Sequence, residues 1–446
     1  MSITKIQSPN ETPIMRKVHQ SIYPEYFTAT STNYTESDFK YNFSLVDSTG
    51  TLYSFKQSAL INSGIGKFSP TQIMVNYLTP YFYPLNNSWT DVSSYCLKQY
   101  RVDLEEFYGG EVKTATLKSY YKQHIIPATK KDFDYTEHLL NDDDKKFLTN
   151  QTEATTIKIR TTDYSVVRFL NGNFSTFTST TYKSRPYHIR LKITKSDGRW
   201  YQYYIPNGNP YWSRQNPLNP SVSVWDNMSG RILEFGCGPK NITTLSWKLD
   251  LYRSAHPTGG EIVVYPPQLT SVSLVVGDKY EIWAYCYPYG DQSIRYKFEV
   301  VCENANKPGV MLYWDNECGG ISQFLFEKRY TESSNVQRYS YRKNYDEFGK
   351  ASQTTNAYYI GHNDYSRETT VYGGEELQKL SINSDWLTSY DISYLKDVMK
   401  AKNIYINYGG TYYPVVLMNE TQLVSRTNSG LVQFVYDLEF SNKNIF

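Results

Sequence analysis

Residues 188–206 read His188-Ile-Arg-Leu-Lys-Ile193-Thr-Lys-Ser-Asp197-Gly198-Arg-Trp200-Tyr-Gln-Tyr-Tyr-Ile205-Pro206. Ile189, Leu191 and Ile193 alternate with Arg190 and Lys192, so one face of a strand is apolar and the other wet. Ser196-Asp197-Gly198 turns the chain, and Trp200 to Ile205 brings it back as a second strand. The same grammar recurs nearby. Tyr280, Ile282 and Ala284 share one parity, Pro288-Tyr-Gly-Asp291 breaks the run, and Tyr296, Phe298 and Val300 alternate with Arg295, Lys297 and Glu299. Ile157 with Ile159, and Val166 to Leu170, add two further strands. Strands buried on one face and solvated on the other build β-sandwiches.

Working outward, Tyr41, Phe43 and Leu45 alternate ahead of Asp47-Ser-Thr-Gly50, and Leu52 to Phe55 returns the chain. Tyr95 to Phe107 and Thr114 to Ile126 read as further strands of this first region. The polar stretch from Lys130 to Lys146, ending in Asp142-Asp-Asp-Lys-Lys146, reads as a linker. Towards the C-terminus, Thr388-Ser-Tyr-Asp391 fits a capping box, and Ile392, Leu395, Val398 and Met399 fall on one helical face. Tyr408-Gly-Gly410 joins two strands. Val432, Phe434, Tyr436, Leu438 and Phe440 share one face of the last. The expectation is a mainly β, multi-domain β-sandwich architecture with one helix, 388–402, packed on strands. The domains are 1–127, 128–305 and 306–446.

The chain has 446 residues, of which 44 are Tyr; aromatics make up 16% and charged residues 20%. That aromatic content argues against disorder. A net charge of +2, from 46 basic and 44 acidic residues, argues against nucleic acid as the main ligand. No apolar run is long enough to span a membrane as a helix, and the first residues lack the apolar core of a secretory leader. Cys96, Cys237, Cys286, Cys302 and Cys318 lack the spacing of a zinc site or a disulfide framework, and read as reduced thiols of a protein made in a cytoplasm.

Motifs that carry chemistry are missing. There is no P-loop, no HExxH and no Gly-x-Ser-x-Gly elbow. Gly236-Cys-Gly-Pro239 lacks the third glycine of a dinucleotide fingerprint and reads as a tight turn. His19, His124, His138, His188, His256 and His362 include no i,i+4 pair for a metal. Asp103, Glu105 and Glu106 could offer a glycosidase its two carboxylates, and Cys318 beside Gly319-Gly320 could be a nucleophile, but neither has a specified partner. No catalytic residue, cofactor or metal is expected.

The aromatics themselves are the candidate feature. Thr79-Pro-Tyr81-Phe82-Tyr83-Pro84, Trp200-Tyr201-Gln-Tyr203-Tyr204 and Tyr285-Cys-Tyr287-Pro-Tyr289-Gly290 are dense in rings, and two of the three are broken by proline. Proline excludes a central strand, and Tyr is enriched in interfaces. Tyr81, Phe82, Tyr83, Tyr201, Tyr203, Tyr204, Tyr285, Tyr287 and Tyr289 are therefore candidate contacts with other subunits, with stacking on a glycan as the competing use.

Four stretches in order carry a family likeness. They are Ser8-Pro-Asn10 with Ser31-Thr-Asn-Tyr34 and Phe39-Lys-Tyr-Asn-Phe43; Lys146-Phe-Leu-Thr-Asn150 with Arg168-Phe-Leu-Asn-Gly172; Tyr296-Lys-Phe-Glu-Val300 and Cys302 with Leu312-Tyr-Trp-Asp-Asn-Glu-Cys-Gly-Gly-Ile321; and Asn383-Ser-Asp-Trp-Leu387 with Tyr413-Pro-Val-Val416. In this order the chain resembles β-rich virion structural proteins of tailed bacteriophages, especially those infecting Bacteroidota. The resemblance implies a tail or baseplate component, assembled in the host cytoplasm, whose partners are copies of itself and other virion proteins, arranged in a ring. A receptor- or glycan-binding module of the virion is the alternative, and a polysaccharide hydrolase a further one.

Overall fold

A computed structural model describes residues 3–7, 15–17, 27–47, 49–60, 63–68, 70, 73, 77–78, 82, 89–96, 98–113, 117–118, 123–126, 147–149, 151, 154–170, 188–206, 232–253, 262–264, 269–286, 290–291, 293–302, 309–328, 330–342, 347–350, 358–361, 369–419, 432–442 and 444–445. The protein is mainly β, in several largely antiparallel sheets, with one short helix among strands near the C-terminus. The chain divides into two units. The first comprises residues 1–304, 313–325 and 389–402, and the second 305–312, 326–388 and 403–446. The linker expected at 130–146 and the border at 127/128 lie outside the described residues.

In the first unit, Lys40–Asp47 pairs with both Gly50–Ser58 and Lys98–Tyr108. Period-two burial holds as expected, with Tyr41, Phe43 and Leu45 fully shielded. A second layer, in which Phe27–Ser31 pairs with Ile65–Phe68, closes over them. Phe68 packs 5.2 Å from Phe43 and 4.7 Å from Phe55, ring centre to ring centre. At Gly66 a Cβ would lie 2.3 Å from the Tyr41 ring, so the strand crosses that ring only because the residue has no side chain. The strand expected from Tyr95 begins later: Ser93–Cys96 forms one helical turn and the strand is Lys98–Tyr108.

The same unit holds a larger sheet in the order Thr156–Arg160, Tyr296–Val301, Lys279–Cys286, His188–Thr194, Trp200–Pro206, Trp247–Arg253, Ile262–Val264. The 188–206 hairpin is formed, and Ile189, Leu191, Ile193, Tyr280, Ile282, Ala284, Tyr296, Phe298 and Val300 are all buried. Its first two strands are parallel, Ile157 lying opposite Phe298. A three-stranded sheet of Val166–Leu170, Ile232–Gly236 and Trp89–Asp91 covers the buried face. Phe235 meets Trp247 edge-on at 6.0 Å, and the Tyr280 hydroxyl donates to the Cys237 carbonyl at 3.0 Å. Two layers sharing one apolar interior is the sandwich arrangement. Gly236-Cys-Gly-Pro239 is the turn into a short helix, Pro239–Thr244. Gly238 is pressed against the Ser165 backbone, where a Cβ would come within 2.4 Å of the amide nitrogen.

Helix 388–402 is shorter and of two kinds: an α-helix over Ser389–Leu395, then a 3-10 turn over Lys396–Lys400. Leu395 and Val398 are both fully buried. Residues three apart eclipse one another in 3-10 geometry, which suits that pair. Tyr394 anchors the helix to Ile321–Phe326: its hydroxyl donates to the Gln323 carbonyl and accepts the Gln323 amide, each at 3.1 Å.

In the second unit the strands Ile404–Tyr408, Thr411–Leu417, Val435–Phe440, Thr369–Asn383 and Thr331–Arg342 follow one another across a sheet. Val432, Phe434, Tyr436 and Leu438 are buried as the alternation predicts, against Leu380 and Ile382 among others.

Candidate interface

The central hairpin fixes where the expected interface rings point. Residues directly opposite in an antiparallel pair share a face. Tyr201 and Tyr203 lie opposite Ile193 and Leu191, whereas Tyr204 lies opposite Arg190. Adjacent parities therefore send Tyr201 and Tyr203 to one side of the sheet and Tyr204 to the other. Tyr203 is 9% exposed, its ring near-parallel to that of Tyr201 at 6.3 Å. Burial, with Tyr201 beside it, pushes the Tyr203 phenol up to about 12. Tyr285 shares the wet face with Tyr204 and is half-buried. Phe82 is half-buried and packs 5.0 Å from Tyr313. Tyr81, Tyr83, Tyr287 and Tyr289 lie outside the described residues. The candidates that are described do not meet in one patch.

The wet face of this sheet has its own chemistry. The Arg190 guanidinium lies 3.4 Å from the centre of the Tyr285 ring, and that of Arg295 lies 4.7 Å from Trp283. Lys192 reaches 5.3 Å from Trp200, and Lys248 5.9 Å from Tyr204. His188 adds an edge contact to Tyr204 at 5.0 Å. A cation over a ring face is attracted by the ring quadrupole, and its long stem covers apolar surface. Trp283 is thereby 2% exposed although it sits on the solvent side of the sheet. These ring faces are already occupied by the chain's own cations, which compete with any sugar stacking there.

The carboxylates that a hydrolase would need are held locally. Asp103 pairs with Arg101 at 2.9 Å. Glu105 accepts from Asn42 at 2.8 Å. Glu106 is fully buried, accepting from the Ser31 hydroxyl and, at 3.1 Å, from Asn33. Cys318 is buried in a turn whose amides, Cys318 and Gly320, both donate to Asn316 Oδ1 at 2.9 Å. Among the described residues, no three His, Cys, Asp or Glu side chains group as a metal site would require. No helix there is long and apolar enough to cross a membrane.

The longest pair of strands among the described residues is largely exposed, and no apolar alternation marks its first strand in the sequence. Thr331–Arg342 and Thr369–Asn383 form an antiparallel ribbon. The first strand is exposed along its whole length except at half-buried Tyr339, so neither of its faces is covered. Twelve residues of strand reach about 40 Å. Val435–Phe440 and Asn444–Ile445 pair with the second strand only from Glu375 onward, and beyond it the described ribbon is two strands wide, the chain between its strands forming a further hairpin of Glu347–Lys350 and Tyr358–Gly361. This two-stranded stretch carries Tyr339, Tyr341 and Tyr372, with Tyr372 6.2 Å from each of the other two rings. Tyr372 is 69% exposed and Tyr341 50%. The available signal was a strand-length run, Thr331 to Arg342, rich in Ser and Tyr and free of Pro and Gly but without apolar alternation.

No family model matches the chain, and no curated protein matches it. Among solved structures, a point mutant of Salmonella alpha-2-macroglobulin is similar at 8% identity with a TM-score of 0.17, over 100% of this chain and 30% of that one. The chain thus spans less than a third of the length of that structure, and a likeness of this size carries no argument about fold or function.

Proposed function

We propose that the chain is a structural component of a phage virion, of the tail or baseplate, that works by assembling with copies of itself and with other virion proteins. The observation that supports this reading most is the ribbon of Thr331–Arg342 and Thr369–Asn383. Short of Glu375 the described ribbon is two strands wide, and a two-stranded hairpin is marginally stable in water on its own. A long exposed strand edge is also a template for pairing that monomeric proteins ordinarily blunt. A ribbon of this length, bearing exposed Val336, Tyr341, Val371 and Tyr372, is the kind of arm that gains order from a neighbour. The segment order quoted above supports the choice of virion class. Mass spectrometry of purified particles tests it: the chain should be present in a fixed ratio to the other tail proteins, and its absence would reject the reading.

A receptor- or glycan-binding role is the second reading, favoured by the cluster of Tyr339, Tyr341 and Tyr372, whose rings could stack on sugars. It predicts that the free protein blocks host adsorption and that Tyr372→Ala abolishes the block. A structural component without receptor function would not compete.

A further inference from the structure

Among the described strands, Thr331–Arg342 pairs with Thr369–Asn383 alone, so its other edge ends the sheet. The one irregularity of the ribbon falls on the second strand, where Tyr372 is passed over between Val371 and Gly373. The edge strand itself therefore keeps a regular alternation of backbone groups over all of its 12 residues. It contains no proline, and its only charges are Glu332, Arg338 and Arg342.

We infer that this edge pairs antiparallel with the same edge of a second copy of the chain, with Gln337 on the two-fold axis. The inference rests on the assembly reading above and names its contact. Along a strand, alternate residues turn their N–H and C=O groups to opposite sides. A strand can therefore pair with itself about a two-fold only when a residue, not a peptide bond, lies on the axis. Of the central choices, Arg338 on the axis opposes like charges. Val336 on the axis brings no opposite charges together. Asn335 sets Glu332 against Arg338 but leaves residues 340–342 opposite residues that precede the strand. Gln337 sets Glu332 against Arg342 at both ends, Arg338 against Val336, and Ser334 against Ser340. It also uses every residue from Glu332 to Arg342. Opposite charges facing across strands favour a register, and like charges disfavour it. Such an isologous contact is self-complementary and closes as a dimer. Edge addition draws its affinity from main-chain hydrogen bonds. The resulting four-stranded ribbon would carry Tyr339, Tyr341 and Tyr372 of both copies on one continuous sheet.

The test is cysteine cross-linking of the full chain with Cys302, the exposed thiol among those described, replaced by Ser. With Gln337 on the axis, Gln337→Cys places two Cα atoms about 4.5–5.5 Å apart, within disulfide reach. Asn335→Cys separates its two copies by four residues along the strands, about 13 Å. Under mild oxidant the Gln337→Cys chain should form covalent dimer in at least tenfold excess over the Asn335→Cys chain. An equimolar mixture of Ser334→Cys and Ser340→Cys chains should cross-link where neither does alone. Arg342→Glu should cut the Gln337→Cys yield, and Glu332→Arg added to it should restore the yield. No dimer from Gln337→Cys together with none from the Ser334/Ser340 mixture, or equal yield at Asn335→Cys, would overturn the pairing. The proportion of chain found in purified particles is measured separately, so a failed cross-link with the chain present in virions rejects the contact and leaves the assembly reading intact.

Discussion

The Arg168 guanidinium meets the Glu234 carboxylate at 2.8 Å with both side chains shut away from solvent. The two residues face each other across the Val166–Leu170 and Ile232–Gly236 strands, so the pair lies inside a layer of the sandwich. Removing one member of a buried ion pair strands the other charge and costs about 3–5 kcal/mol, whereas replacing both by apolar groups of similar size is often neutral. Arg168→Met should therefore lower the urea midpoint sharply, and Arg168→Met with Glu234→Leu should recover most of the loss. Additive losses in the double variant would contradict this.

Asp397 supplies a pH dependence. Burial pushes its carboxyl up to about 7, against the Glu317 amide that it accepts at 2.9 Å. The unfolded value is about 3.9, so the native state holds the proton more tightly. The favourable contribution is fully present below the unfolded value and is lost as pH rises through about 7. Asp397→Asn keeps an acceptor for the Glu317 amide and cannot ionise. It should be more stable than the parent at pH 8, with the difference shrinking towards pH 4, as read by chemical denaturation. A variant less stable than the parent at pH 8 would refute the sign.

Gly320 is a second structural constraint. A Cβ there would come within 1.9 Å of the Leu148 carbonyl oxygen, a backbone atom that cannot rotate aside. Gly320→Ala should cost about 1–3 kcal/mol, the usual range for overpacking a filled interior. The thermal midpoint should fall accordingly, and an unchanged midpoint would show that the Asn316 turn adapts.

Arg295 lies over Trp283 on the wet side of the central sheet, and Asp291 holds its guanidinium at 2.9 Å. Arg295→Ala should uncover the indole. The expected readout is a red shift of tryptophan emission and a stability loss of about 1 kcal/mol. Emission unchanged from the parent would mean that other side chains keep Trp283 dry.

What could be read from the sequence follows from where burial is one-sided. The alternation at Ile189 to Ile193, at Tyr280 to Ala284 and at Phe434 to Leu438 marks strands because one face is dry, and each is buried on the expected parity. The first strand of the ribbon, Thr331–Arg342, has no dry face, so it carried no periodic signal although it belongs to the longest pair of strands among the described residues. The parallel partnership of Thr156–Arg160 with Tyr296–Val301 joins segments far apart in sequence, and no local pattern reports it. The ring-rich stretches were visible as composition, but which face each ring takes depended on register. Adjacent Tyr203 and Tyr204 point to opposite sides of one sheet, a distinction that ring density does not carry. The cations covering Tyr285 and Trp283, Arg190 on the neighbouring strand and Arg295 just before the next, were equally invisible.

The most direct test of the assembly account is a reconstruction of the native particle by electron cryo-microscopy. The account predicts multiple copies of this chain in the tail or baseplate, with the 331–342 edge strand ordered against a neighbouring copy. Particles in which the chain has no density, or in which that ribbon projects into solvent with no neighbour, would contradict it.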